Sequence, residues 1–156
     1  MFTTANPVPP ARADGPGQAP APDPGPALIR PRLLVVDDEP QNLQTFQRVW
    51  RKHYDIETAS GGVAGLRLLA ERTFDVVLTD FGMPAMDGAA FVDAARRVQA
   101  VSFVLVTGYD DKPEVRALEE RGVIFAVLGK PWRPAAMMDV IARAGAHTET
   151  LRSQAR

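Results

Sequence analysis

Cysteine is absent from this 156-residue sequence, so no disulfide framework and no thiolate-bound metal can be part of it. No apolar run approaches the length needed to cross a bilayer, and the first residues lack the basic segment followed by an apolar stretch that marks a secretory leader. A surplus of either charge is missing too. With a formal net charge of -1 the chain has no global basic field to hold nucleic acid or an anionic membrane surface. Repeats longer than a single strand-and-helix unit are also wanting, which argues against a solenoid. The remaining expectation is a soluble, cytoplasmic protein with no membrane association and no direct nucleic-acid binding.

The first thirty residues carry eight prolines, from Pro7 to Pro26, among alanine and glycine and almost no large apolar side chains. Such a segment cannot bury enough surface to offset its ordering entropy, so residues 1–30 are expected to be a disordered tail. Residues 31–145 are long enough for one domain with a core. Residues 146–156 are expected to extend the last helix or to form a loose tail.

Within the central segment, short apolar runs alternate with helical patterns, as in repeated strand-helix units around a parallel sheet. Leu33 to Val36, Tyr54 to Thr58, Val76 to Leu78, Phe103 to Val106 and Val123 to Leu128 read as strands. The first helix opens at Pro40 and presents Leu43, Phe46, Val49 and Trp50 on one face. Ser60 is expected to cap a second helix bearing Val63, Leu66 and Leu69, and Gly88 leads into a third through Phe91, Ala94, Ala95 and Val98. Asp111 and Pro113 start a short fourth helix that Gly122 closes, and Pro134 opens the last, with Met137, Met138 and Ile141. Right-handed crossovers leave few topologies for five such units. The expected fold is a doubly wound, five-stranded parallel sheet of order 2-1-3-4-5, which sets the first and third strands side by side.

That adjacency concentrates chemistry at one edge. The first strand ends in Asp37 and Asp38, the third in Asp80, the fourth in Thr107 and the fifth in Lys130. In an open parallel sheet the carboxyl ends of the strands share the edge where ligands bind. Taken singly, Asp37 or Asp38 reads as a cap for the helix from Pro40, and Thr107 as a strand-end hydroxyl. Capping gives no reason for Asp37, Asp38, Asp80 and Lys130 all to meet, and Thr107 gains its weight from these companions. Carboxylates about 4 Å apart repel by roughly 4 kcal/mol per pair at an effective dielectric near 20, so three together call for a cation or a shifted protonation. Hard oxygen donors without imidazole or thiol suit Mg2+. Beside such an ion a carboxylate can serve as nucleophile toward phosphorus, with an ammonium and a hydroxyl neutralising the phosphoryl oxygens.

The segments VVDDEP, LTDFGMPAMDG, VTGY and GKPW, in this order and at these distances, resemble the receiver domain of bacterial two-component response regulators over about residues 32–144. The resemblance implies the flavodoxin-like receiver fold and a phosphoacceptor at Asp80, supplied by a sensor histidine kinase or a histidine phosphotransfer protein. It implies Mg2+ held by Asp37, Asp38, Asp80 and the main-chain oxygen of Gly82. Thr107 and Lys130 would contact the phosphoryl group, and the Lys130-Pro131 bond would be cis. The chain would not be an enzyme beyond its own phosphorylation and dephosphorylation, and would signal in a phosphorelay through protein contacts as a monomer or weak homodimer. Two other readings are a degenerate receiver kept as a docking module, and an aspartyl-phosphate phosphotransferase or hydrolase. Against the latter, Gly82 stands where such hydrolases place a second aspartate.

One departure affects how a signal leaves the site. Where the family usually carries a Tyr or Phe three residues before the lysine, this chain has Val127. Phe125, two residues earlier and so expected on the same face of the strand, and Tyr109, beside Thr107 and the pliant Gly108, are the remaining aromatic candidates. Replacing Tyr109 with Ala is expected to weaken signal transmission in cells while phosphate uptake in vitro is retained; unchanged signalling would remove Tyr109 from the coupling.

Overall fold

A computed structural model describes residues 30–108 and 112–155. The expected tail falls outside these residues except for Arg30, and so do Tyr109 and the Asp111 cap. Along the chain run β1 (Arg32–Val36), α1 (Pro40–Trp50), β2 (Asp55–Ala59), α2 (Gly62–Glu71) and β3 (Val76–Asp80). There follow α3 (Gly88–Val98), β4 (Ser102–Thr107), α4 (Pro113–Glu120), β5 (Ala126–Gly129) and α5 (Pro134–Gln154). All strand pairs are parallel and the order is β2-β1-β3-β4-β5, the doubly wound arrangement.

Both faces of the sheet are covered, which is why its strands are apolar at nearly every position. On one face Leu33, Val35, Val76, Leu78, Val104 and Val106 pack against Leu43, Phe46 and Trp50 of α1 and Met137, Val140 and Ile141 of α5. On the other, Leu34, Val36, Val77, Phe103 and Leu105 meet α2, α3 and α4 through Leu69, Phe91, Val92, Ala95, Val115 and Leu118. Alternation along the strands assigns each residue to its layer, and Phe74 and Phe91 are wholly enclosed.

Several local readings are corrected by the structure. Val49, Val63 and Val98 are 50%, 63% and 46% exposed. On α1 and α2 the contact stripes follow Leu43-Phe46-Trp50 and Gly62-Gly65-Leu69, so Val49 and Val63 fall to the side of them. Val98 is the last residue of its helix. Ser60 caps nothing, because α2 begins later, with Gly61 at the N-cap and no side-chain bond there. Asp87 is the cap the sequence reading missed: its carboxylate accepts from the Ala90 N–H at 2.8 Å and opens α3. The fifth strand pairs only from Ala126, since Gly122, in the left-handed region at φ 68°, ends α4 and residues 123–125 bend toward the sheet. That bend puts Phe125 on the α1–α5 side and Val127 on the other, so the two do not share a face. Phe125 lies instead beside His147, with ring centroids 5.3 Å apart.

α5 runs unbroken through residues 146–154, and a polar lock holds it to the amino ends of the strands. Thr148 is fully buried; its hydroxyl lies 2.6 Å from the Asp75 carbonyl oxygen and accepts the Ser102 N–H at 2.9 Å. One turn further, Arg152 donates to the Phe74 carbonyl and pairs with Asp75 at 3.4 Å. Of the apolar stripe on this helix, Met137 and Ile141 are consumed by the core and Met138 is 43% exposed.

Valine keeps the shape of Thr148 but leaves the Ser102 N–H without an acceptor. Thr148→Val is therefore expected to destabilise the chain by about 1–3 kcal/mol, measured by urea denaturation. A midpoint equal to that of the native chain would show that the lock contributes nothing.

Candidate functional site

The alternation that points Leu33 and Val35 toward α1 continues to Asp37, and the alternation of Val76 and Leu78 continues to Asp80. Because β1 and β3 are neighbours, in register Val36 to Thr79, the two acids emerge side by side. Asp38 joins them: one carboxylate oxygen from each of Asp37, Asp38 and Asp80 lies within 4.8 Å of the others. Asp37 is buried, and the other two are half-buried.

Lys130 reaches the same place from the loop after β5. Its Nζ stands 3.9 Å from Asp37 Oδ2 and 3.8 Å from Asp80 Oδ1, shared between two acids and in hydrogen-bond contact with neither. Its main-chain N–H donates to the Thr107 carbonyl at 3.0 Å, which ties the lysine loop to the end of β4. The Lys130-Pro131 peptide bond is cis. Thr107 is fully buried at the end of β4, and its strand parity places it with Phe103 and Leu105 on the α2–α4 side. Gly82 is exposed, two residues past Asp80 in the loop between β3 and α3.

The backbone after Asp80 is tightly set. Asp80 Oδ1 accepts the Phe81 N–H at 2.9 Å, and the Gly88 N–H donates to the Phe81 carbonyl at 2.8 Å. A Cβ at Gly88 would come within 2.6 Å of the Asp80 carbonyl oxygen and 2.8 Å of Phe81 Cα, so only glycine lets α3 begin this close to the acid.

Asp37, Asp80 and Lys130 line a cavity of about 460 Å3 that continues between α1 and the loop after β5, along Asn42, Phe46 and Trp132. A larger one, about 1080 Å3, lies at the opposite edge of the sheet among Arg30, Arg32, Arg48, Arg51 and Tyr54. The larger cavity has Asp55 and Asp75 among its arginines, whereas Asp37 and Asp80 of the three-acid cluster found among the described residues line the smaller one. Three hard oxygen donors at this separation fit Mg2+, whose ligand oxygens stand at about 2.0–2.1 Å from the metal and whose remaining positions are filled by water. Among the described residues, the sequence-derived set of Asp37, Asp38, Asp80 and Lys130 is brought together, with Thr107 linked through the main chain, whereas Phe125 and Val127 point to different layers.

Burial raises the pKa of Asp80 above the ordinary carboxylate value; Lys130 and the Phe81 N–H pull it down, and Asp37 and Asp38 push it up. A native carboxyl with a raised pKa binds its proton more tightly than the unfolded chain does. Stability therefore falls as pH rises from the unfolded value, near 3.9, through the native one, and the ionised Asp80 remains a cost above that window.

The sequence matches the response regulator receiver domain over residues 33–142. Among curated proteins it is similar to the transcriptional regulatory protein GlrR of Escherichia coli, 34% identical over 101 residues, covering 64% of this chain and 22% of that one. It is also similar to the sensory/regulatory protein RpfC of Xanthomonas campestris, 32% identical over 130 residues, 80% of this chain and 18% of that one. The chain thus spans about a fifth of the length of each of these two relatives. Among solved structures, the signal receiver domain of an HD domain-containing protein from Pseudomonas fluorescens Pf-5 superposes with a TM-score of 0.71 at 27% identity, covering 78% of this chain and 98% of that one.

In the absence of divalent metal, Asp80→Asn is expected to unfold at a higher urea midpoint than the native chain at neutral pH, with the gap closing as pH falls through the ordinary carboxylate range. A gap that is absent, or independent of pH, would show that the ionised acid carries no such cost.

Proposed function

We propose, for a chain that belongs to the response regulator receiver family, that Asp80 accepts a phosphoryl group from a phosphohistidine and that the resulting change is read by protein contact. The single observation that carries this reading is the meeting of Asp80 with two further acids and the Lys130 ammonium at one sheet edge. No capping role accounts for that convergence.

In the transfer, a carboxylate oxygen of Asp80 forms a bond to phosphorus as the phosphorus–nitrogen bond of the donor breaks. The imidazole nitrogen leaves with the electron pair. Lys130, already loosely placed between Asp37 and Asp80, can move onto a phosphoryl oxygen without giving up a hydrogen bond. Thr107 supplies a hydroxyl at the end of the neighbouring strand. Asp37, Asp38, Asp80 and the Gly82 carbonyl would hold Mg2+, which when bound neutralises charge on the acids and on the transferred group. Asp80 then carries an acyl phosphate that water hydrolyses, so the chain turns over only its own modification. The partners of this chemistry are a sensor histidine kinase or a histidine phosphotransfer protein. A net charge of -1 and the lack of a helix long and apolar enough to span a membrane among the described residues agree with cytoplasmic action through protein targets.

The domain reading that accompanies this is a receiver over residues 31–145, preceded by the proline-rich segment and followed by the continuation of α5. The competing hydrolase reading has no second aspartate two residues after the nucleophile, where Gly82 stands.

Incubated with a small acyl phosphate and Mg2+, the native chain is expected to take up one phosphoryl group, read by gel mobility and intact mass. Asp80→Asn, or the native chain in chelator, should take up none. Continuous release of phosphate far beyond one equivalent would favour the hydrolase, and labelling that survives in Asp80→Asn would sink the assignment of the acceptor.

A further inference from the structure

Asn42 stands in the first turn of α1, exposed at one wall of the cavity that holds Asp80. Its Nδ2 donates to Asp37 Oδ2 at 3.1 Å, while the Glu39 N–H donates to Asp37 Oδ1 at 2.9 Å. Each oxygen of the most buried acid therefore has its own donor. The main-chain bond alone fixes one oxygen and leaves the carboxylate plane free to turn; the amide of Asn42 removes that freedom. Without it, the nearest cation to Oδ2 is Lys130 at 3.9 Å. A carboxylate free to rotate would tighten that loose pair into hydrogen-bond contact, drawing both partners away from the positions they hold.

We infer that Asn42 is a positioning residue: through Asp37 it sets how tightly the acid cluster binds its divalent cation, an inference that rests on the receiver reading above. The chemistry of the amide suits this role. It donates without adding charge, whereas a carboxylate at residue 42 would add a fourth repelling acid and an ammonium would compete with the cation. The bond also leaves the second lone pair of Oδ2 available to a metal.

The test is a titration of the full chain with Mg2+ alone, followed by amide shifts of the site residues in NMR and by tryptophan fluorescence, since Trp132 lines the same cavity. Outer-shell partners of metal ligands commonly change affinity by about 10–100-fold, and Asn42→Ala and Asn42→Leu are expected to weaken Mg2+ binding by about 10-fold. Asn42→Gln keeps the amide on a longer stem and is expected to recover most of the loss. The urea midpoints of all three variants in chelator should equal that of the native chain. Mg2+ binding in the Ala and Leu variants within twofold of native would overturn the inference, as would a loss matched by a drop in chelator stability that Gln does not restore. Failure of the underlying reading looks different: the native chain itself, folded, would give no Mg2+ response.

Discussion

Three acids that repel one another are held together at the carboxyl edge of a parallel sheet, and the rest of the structure is organised around that constraint. The Lys130 ammonium offsets part of that repulsion, but the closeness itself is imposed by the pairing of β1 with β3, whose register sets Val36 against Thr79. The sheet in turn is stabilised far from the acids, by two apolar layers that exclude water from both of its faces. Folding free energy gained in the core thereby holds Asp80 out of water, and that burial, more than the neighbouring acids, raises its pKa while Lys130 pulls it back.

The supports of the site are mostly backbone. Asp80 is oriented by the Phe81 N–H, the Phe81 carbonyl is held by Gly88, and the lysine loop is tied to Thr107 through a main-chain bond. Such bonds tolerate changes of side chain, apart from Gly88, where a Cβ would press on the Asp80 carbonyl. At the opposite edge the side chains of Thr148, Asp75 and Arg152 hold α5 to the start of the strands. The amino ends of the strands are thus fastened by side chains, whereas at the acid edge main-chain bonds are joined by one side-chain donor, the amide of Asn42.

Much of this was legible in the sequence because the strands are short, apolar and followed at once by acid or lysine. Crossover handedness leaves few topologies, and among them the order 2-1-3-4-5 is favoured because it sets the first and third strands, and with them Asp37, Asp38 and Asp80, side by side. Details set by a shift of one or two residues were not legible. Ser60 and Gly61 differ little as starts for α2, and propensity alone does not separate them. Phe125 looked like a partner of Val127 because period-two counting assumes an unbroken strand, and the bend after Gly122 broke it. The amide of Asn42 gave no signal, since an asparagine in the first turn of a helix is ordinary; only its distance to Asp37 distinguishes it. Asp87, by contrast, could have been found as a capping residue directly before Gly88.

Opposite parity of the residues at the strand ends ties this edge to both helix layers. Asp37 and Asp80 continue the rows of the sheet that face α1 and α5, while Thr107 continues a row that faces α2, α3 and α4. The edge that carries the acids is thus shared between the two layers, and repacking either layer moves a different row of side chains at the strand ends.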